Sequence, residues 1–253
     1  MSQNEVDKLD VLAWSAHPDD TELCCSGTLA ALVKQGLKVG VVDLTRGDMG
    51  TRGTPQQRLD EAQAAAKVIG LSVRENLGLP DTLLDNTPEH RKFIIQALRR
   101  YRPDLCFITA PEDRHPDHGN ATRLLIDAFF YSGLRMIETK DKNGLAQEKW
   151  RPFHILHYMQ DRIFEPDFVF DISDTIDLKK KAIHSFKSQF NVPETDDGPK
   201  TYISSNRFFE AIIARARFYG HMIGVEFGEP FKYYNGPVPL SDLDIFRKSK
   251  PIR

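Results

Sequence analysis

Apolar runs alternate with helix-length amphipathic segments along the first half of this 253-residue chain. Val11-Leu12-Ala13-Trp14 reads as a first strand, followed by a helix over residues 22–35 that Gly36 closes. Residues 39–44 are almost continuously apolar, as expected of a strand buried on both faces of a parallel sheet. An Ala-rich helix over 55–69 ends at Gly70, and a short strand over 73–77 follows. A helix over 88–101 begins on Pro88, where a missing N–H costs nothing. The strand 105–109 leads through a loop, 110–119, into a helix over 120–131. Strands that alternate with helices in this way predict a parallel sheet with crossover helices.

Beyond Trp150 the pattern changes. Residues 154–159 and 168–172 read as strands, and 175–190 and 206–223 as helices. From Gly228 onwards, prolines and weak periodicity predict an irregular surface tail. The expected fold class is α/β: a Rossmann-like, mostly parallel sheet flanked by helices. It forms one domain over 1–253, with a core at about 9–133 and a C-terminal elaboration at about 150–253. No Gly/Ser tract, Pro-rich run or repeat suggests a linker.

Composition narrows the function classes. A formal net charge of −2 argues against a nucleic-acid partner or a polybasic membrane patch. Lys179-Lys180-Lys181 and Arg99-Arg100 read as solvated helix faces. The polar start MSQNEVDKLD has no apolar segment of a signal peptide behind it, and no run approaches a membrane span. Three cysteines without Cys-x-x-Cys spacing fit neither a disulfide framework nor a thiolate metal site, so a cytoplasmic location is expected. Cys106, in the run Leu105-Cys106-Phe107-Ile108, reads as a small buried hydrophobe.

Two polar clusters fall at predicted carboxyl ends of strands, where parallel sheets gather their functional groups. The first is His17-Pro18-Asp19-Asp20, and the second is Arg114-His115-Pro116-Asp117-His118. On a helical turn His17 and Asp20, three apart, project to one side and can share a cation. Asp19 must point elsewhere, toward a water at that cation. A catalytic zinc takes about three His, Asp or Glu ligands and keeps one open position. The second cluster offers either His118 or His115 for the third place. Two histidines argue against magnesium and favour zinc or iron(II). A nucleotide-binding module, a rival on the same kind of sheet, would carry Gly-x-Gly-x-x-Gly where this chain has His17-Pro18-Asp19-Asp20.

The segments AHPDDTE and HPDH resemble the paired signature of the LmbE/PIG-L family of zinc-dependent N-acetylglucosamine deacetylases. DLTRGDMGTRGT, SQF, ISS and ARARFYGHMIGVEFGEPF resemble its bacillithiol-biosynthesis branch. The resemblance covers nearly the whole chain. It implies a Zn2+ (or Fe2+) site formed by His17, Asp20 and His118, with Asp19 as general base. It further implies that His115 stabilises the tetrahedral intermediate and that Asp117 orients His115. The implied reaction removes acetate from N-acetylglucosaminyl malate. Other N-acetylglucosamine conjugates and thiol S-conjugate amides are alternatives, and homo-oligomers are common among relatives.

Two carboxylates on malate call for arginines, and Arg58, Arg114 and Arg151 are the candidates, with Arg46 and Arg52 in the loop 45–53. Gly47, Gly50 and Gly53 would let that loop approach a ligand. Where some relatives carry an assisting tyrosine, this chain has Phe208, with Tyr202 as a possible substitute. The remaining histidines, His90, His154, His157, His184 and His221, read as structural or surface residues.

Overall fold

A computed structural model describes residues 8–190 and 198–238. Seven strands form one sheet in the order β3-β2-β1-β4-β5-β7-β6. The strands are β1 (Val11–Ser15), β2 (Val39–Thr45), β3 (Val73–Leu79), β4 (Leu105–Ile108), β5 (His154–Tyr158), β6 (Phe168–Asp171) and β7 (Gly228–Tyr233). The first five are mutually parallel; β7 runs antiparallel to both β5 and β6. The α/β expectation therefore holds, including the Rossmann-like half.

Strand alternation decides which helices cover which face. Val11 and Ala13 join one core with α2 (Ser26–Lys34), α3 (Pro55–Ile69), α6 (Ile176–Ile183) and α7 (Asn206–Ile223). Leu12 and Trp14 point to the other core, built on α4 (Pro88–Tyr101) and α5 (Pro116–Ser132). Both faces of β1 and β2 are buried, which explains their continuous apolar character. Cys106 is fully buried in the second core, as expected of a small hydrophobe. The helix starts follow local chemistry: Thr54 and Thr87 accept hydrogen bonds from Gln57 N–H and His90 N–H, with prolines at the next position.

Four expectations need correction. The helix 22–35 is two pieces, α1 (Asp20–Cys24) and α2, broken at Cys25. At the break the carboxylate of Glu229, from β7, accepts Gly27 N–H at 3.1 Å and Thr28 N–H at 2.7 Å. The helix 175–190 ends at Ile183, because Glu61 captures Ser188 through both its N–H and its hydroxyl.

The third correction concerns the tail. Residues 228–233 are not an irregular tail but β7, inserted between β5 and β6 and buried over its first four residues. Its Gly228 packs against Gly220 of α7, where a Cβ would meet the Phe227 main chain at 2.7 Å. Residues 234–238 are irregular, as expected of that tail, and 239–253 lie outside the described residues.

The fourth concerns the basic clusters, which are only partly solvated. Lys179 is buried, bonded to Glu229 at 2.7 Å and to the Leu23 carbonyl at 2.8 Å. Arg99 is buried as well, donating to the carbonyls of Ser132 at the end of α5 and of Leu134 and Ile137 beyond it. Among the described residues, no helix is long and apolar enough to cross a membrane.

Glu229 therefore serves both a helix start and a buried ammonium. Glu229→Ala is expected to lower unfolding free energy by about 3–5 kcal/mol, the usual loss when one partner of a buried ion pair is removed. A urea titration with an unchanged midpoint would contradict that role.

Candidate metal centre and active site

The parallel strands all end on one edge, and the two polar clusters meet there because β1 and β4 are neighbours. Strand order turns back between them: β2 and β3 extend to one side of β1, β4 and β5 to the other. Such switch points are where open α/β sheets form their clefts. The cleft here is a cavity of about 320 Å³.

Each histidine of the expected ligand set is held by one ring nitrogen. His17 Nε2 lies 3.1 Å from Asp81 and 3.3 Å from Asp117. His118 Nδ1 lies 2.5 Å from Asp113. The other nitrogens turn toward Asp20, with His118 Nε2 at 3.2 Å from Oδ1 and His17 Nδ1 at 3.8 Å from Oδ2. A histidine anchored by a carboxylate on its far nitrogen is the usual arrangement around a metal. The ring nitrogens of His17, His115 and His118 also cluster within 4.8 Å, so His115 borders the same space.

The electrostatics fit a cation. The carboxylates of Asp19, Asp20, Asp81, Asp113 and Asp117 are buried around these histidines, with Arg58 as the guanidinium paired among them. Burial opposes charge on His17, yet Asp117, Asp81 and Asp20 outweigh it and push its pKa up to about 9. Burial likewise opposes charge on His118, but Asp20 and Asp113 raise it to about 10. Asp20 is held well below the usual carboxylate range, because the two histidines outweigh its burial. Protonated rings here neutralise carboxylates in the way that a divalent ion would. Metal binding at such a site releases those protons.

Asp19 is set apart from Asp20 by its backbone. It has φ 106°, the left-handed region that a non-glycine residue rarely occupies. Thr82 in the facing loop has φ 67° and donates its N–H to Asp117 at 2.9 Å. Strain of this kind costs about 1–3 kcal/mol per residue and persists where the surroundings enforce it. Arg58 enforces it at Asp19, donating to the Asp19 carboxylate at 3.0 Å and to the Pro18 carbonyl at 2.5 Å. Burial lifts the Asp19 pKa to about 7 despite the opposing charge of Arg58. Gly47, at φ 68°, lies against the Arg58 guanidinium with no room for a side chain.

The other expected residues fall differently. His115 accepts Asp117 N–H through Nδ1, which leaves Nε2 as its donor when the ring is neutral. Burial, with His17 and His118 nearby, lowers the His115 pKa and favours that neutral form. The Asp117 carboxylate was expected on His115, but its hydrogen bonds go to His17 and to the Thr82 N–H.

The arginines divide three ways. Arg58 lines the cavity but is committed to Asp19. Arg114 stands at the rim, 2.9 Å from Asp161, with its guanidinium over the Tyr202 ring. Arg151 does not reach the cavity: it stacks on Phe130 at 4.4 Å and donates to the Phe130 carbonyl. Of the two further loop arginines, Arg52 donates to the carbonyls of Ser188 and Pro199, and Arg46 packs against Gly78.

Sequence reasoning missed Asp81, Asp113, Gln160, Asp161 and Arg215. Asp113 carried a usable signal, since it lies five residues before His118 in the same loop. Asp81 follows a strand on the same sheet edge, but nothing in its own segment distinguishes it from a turn residue.

Comparison with known proteins places the chain among deacetylases. The pattern of the PIG-L family, "GlcNAc-PI de-N-acetylase", matches residues 12–129. A Thermococcus kodakarensis protein named "Diacetylchitobiose deacetylase" is 30% identical over 246 residues, covering 92% of this chain and 85% of its own. A Bacillus anthracis protein named "Probable N-acetyl-alpha-D-glucosaminyl L-malate deacetylase 2" is 31% identical, over 74% of this chain and 84% of its own. The crystal structure of a conserved protein from Thermus thermophilus superposes with a TM-score of 0.78 at 40% identity, covering 93% of this chain and 97% of its own.

If Asp81 and Asp113 orient metal-binding histidines, Asp81→Asn and Asp113→Asn should each weaken metal affinity by roughly 10–100-fold in chelator competition. Wild-type affinity in both variants would assign these carboxylates to fold stability alone.

Proposed function

Because the chain belongs to the PIG-L family of N-deacetylases, we propose that it removes the acetyl group of N-acetylglucosaminyl malate, with zinc held by His17, Asp20 and His118. The observation that carries the metal assignment is the pair of anchored histidines turned onto the two oxygens of Asp20. A divalent cation at that place would supply a Lewis acid that polarises the amide carbonyl and makes water a usable nucleophile at neutral pH.

The chain's own groups handle the protons. Asp19 takes a proton from the attacking water, held in line by Arg58 and by its strained backbone. His115 donates from Nε2 to the carbonyl oxygen as negative charge develops on it. The proton taken up by Asp19 is returned to the departing amine, so amide and water become amine and acetate. Asp117 and Asp81 keep His17 in the orientation that presents Nδ1.

Support for the malate conjugate comes from the Bacillus anthracis relative's name and from the arginines of the cleft. Of those expected to bind it, Arg114 is placed at the rim and Arg58 acts through Asp19. The Thermococcus kodakarensis relative's name favours diacetylchitobiose as the second reading. A reducing compartment and homo-oligomeric assembly belong to the same proposal. The supports are three free, buried cysteines and the exposed Phe218 and Met222, one turn apart on α7.

Amine release from N-acetylglucosaminyl malate, diacetylchitobiose and free N-acetylglucosamine should be compared on zinc-loaded protein. The malate conjugate is expected to give the highest kcat/KM, and preference for chitobiose would transfer the assignment to the second reading. Asp19→Asn should lose roughly 10²–10⁴-fold in kcat while keeping its metal. Loss of metal instead would mean that Asp19 is a ligand.

A further inference from the structure

Arg58 and Arg114 each face a carboxylate, Asp19 and Asp161. Arg215, the remaining arginine of the cavity wall, projects from α7 and faces none within ion-pair distance among the described residues. Its hydrogen-bond partner is the Gln160 main-chain carbonyl. Arg217, two residues on, does have a counter-ion in Glu226 at 3.6 Å and stacks on Phe227. Cys24, Tyr202 and Tyr219 are among the groups close enough to feel the charge of Arg215, and none of these three supplies an anion while protonated. A half-buried guanidinium without a carboxylate is electrostatically incomplete.

Gln160 supplies a second, independent observation. This residue is only 4% exposed and lines the same cavity. The Ala110 N–H donates to Oε1 at 3.1 Å, which fixes the orientation of the amide. Nε2 is then a buried donor with no acceptor. An enclosed donor left unsatisfied costs about 1–3 kcal/mol. A guanidinium without a carboxylate and a buried amide donor without an acceptor are thus joined at the wall of the cleft by the hydrogen bond from Arg215 to the Gln160 carbonyl.

Resting on the deacetylase reading above, we infer that Arg215, with Gln160 beside it, forms the subsite that recognises an anionic group, carboxylate or phosphate, on the aglycone of the substrate. A guanidinium binds either anion through parallel N–H donors, which confers specificity beyond attraction alone. Arg215 is thus a specificity-determining residue in the role for which Arg151 was a sequence candidate.

The test uses the metal-loaded full chain and three glycosides: N-acetylglucosaminyl malate, N-acetylglucosamine 1-phosphate and neutral methyl N-acetylglucosaminide. In Arg215→Gln, the kcat/KM advantage of one anionic glycoside over the neutral one should fall about 10–100-fold, mainly through KM, as expected when a charged hydrogen bond is lost. Whichever anion loses its advantage is the group recognised. Arg215→Lys should recover part of it, which separates lost charge from a disturbed fold. An unchanged ratio for both anions in Arg215→Gln overturns the inference and leaves the deacetylase reading standing. No amine release from any of the three by wild-type protein overturns both.

Discussion

Everything at the carboxyl edge of this sheet depends on a concentration of buried negative charge. Three aspartates surround two histidines, Asp20 lies between those histidines, and Asp19 stands next to it in sequence. Taking carboxylates out of water costs several kcal/mol each unless positive charge accompanies them. Arg58 answers Asp19, and the histidines, proton-bearing or metal-bearing, answer the rest. The fold contributes the convergence. Parallel strands deliver their loops to one edge, and the reversal of strand order at β1 and β4 opens a cleft between two of those loops.

Charge is managed the same way behind the site. Arg74 on β3 donates to Asp43 on β2 at 2.8 Å and to Glu22 on α1 at 2.5 Å, with all three side chains buried. Lys179 from α6 donates to the Leu23 carbonyl of α1 and is itself paired with Glu229 from β7. The short helix that carries Asp20 is thus clamped by Arg74 and Lys179, each backed by a carboxylate from a neighbouring strand. Such clamps are poor sources of net stability, because desolvation offsets most of the attraction. Their value here is positional: a ligand set drifting by an ångström loses much of its chemistry.

These clamps also mark the limit of what the sequence made legible. Local signals located the strands up to β6, the helix starts at Thr54 and Thr87, and the two His/Asp clusters, because each depends on neighbours within a few residues. The break at Cys25 depends on Glu229, 204 positions away, and could not be seen in a helical pattern running from 22 to 35. β7 was hidden for a related reason. Its Gly228 and Pro230 weaken strand periodicity, and its burial comes from β5 and β6 on either side. Lys179 looked solvated because two lysines follow it, while the structure turns it inward onto Glu229.

The candidate site divides along the same line. The two His/Asp clusters were legible because two dense motifs sat at adjacent strand ends, while the choice of His118 over His115 and of Asp20 over Asp19 as candidate ligands came from the family resemblance. Asp81, Asp113 and Gln160 were not, because a lone polar residue after a strand ordinarily reads as a turn. The arginines show the consequence for specificity. Read by type alone, all of them are anion ligands; read with their partners, Arg58 aligns Asp19, Arg114 neutralises Asp161 and Arg151 packs on Phe130. Arg215 lines the cleft with neither a carboxylate nor an aromatic ring as its partner among the described residues, a property of a fold and not of a motif. Recognition of a substrate's variable part falls to groups left uncommitted in this way, whereas the bond-breaking groups are those most tightly held.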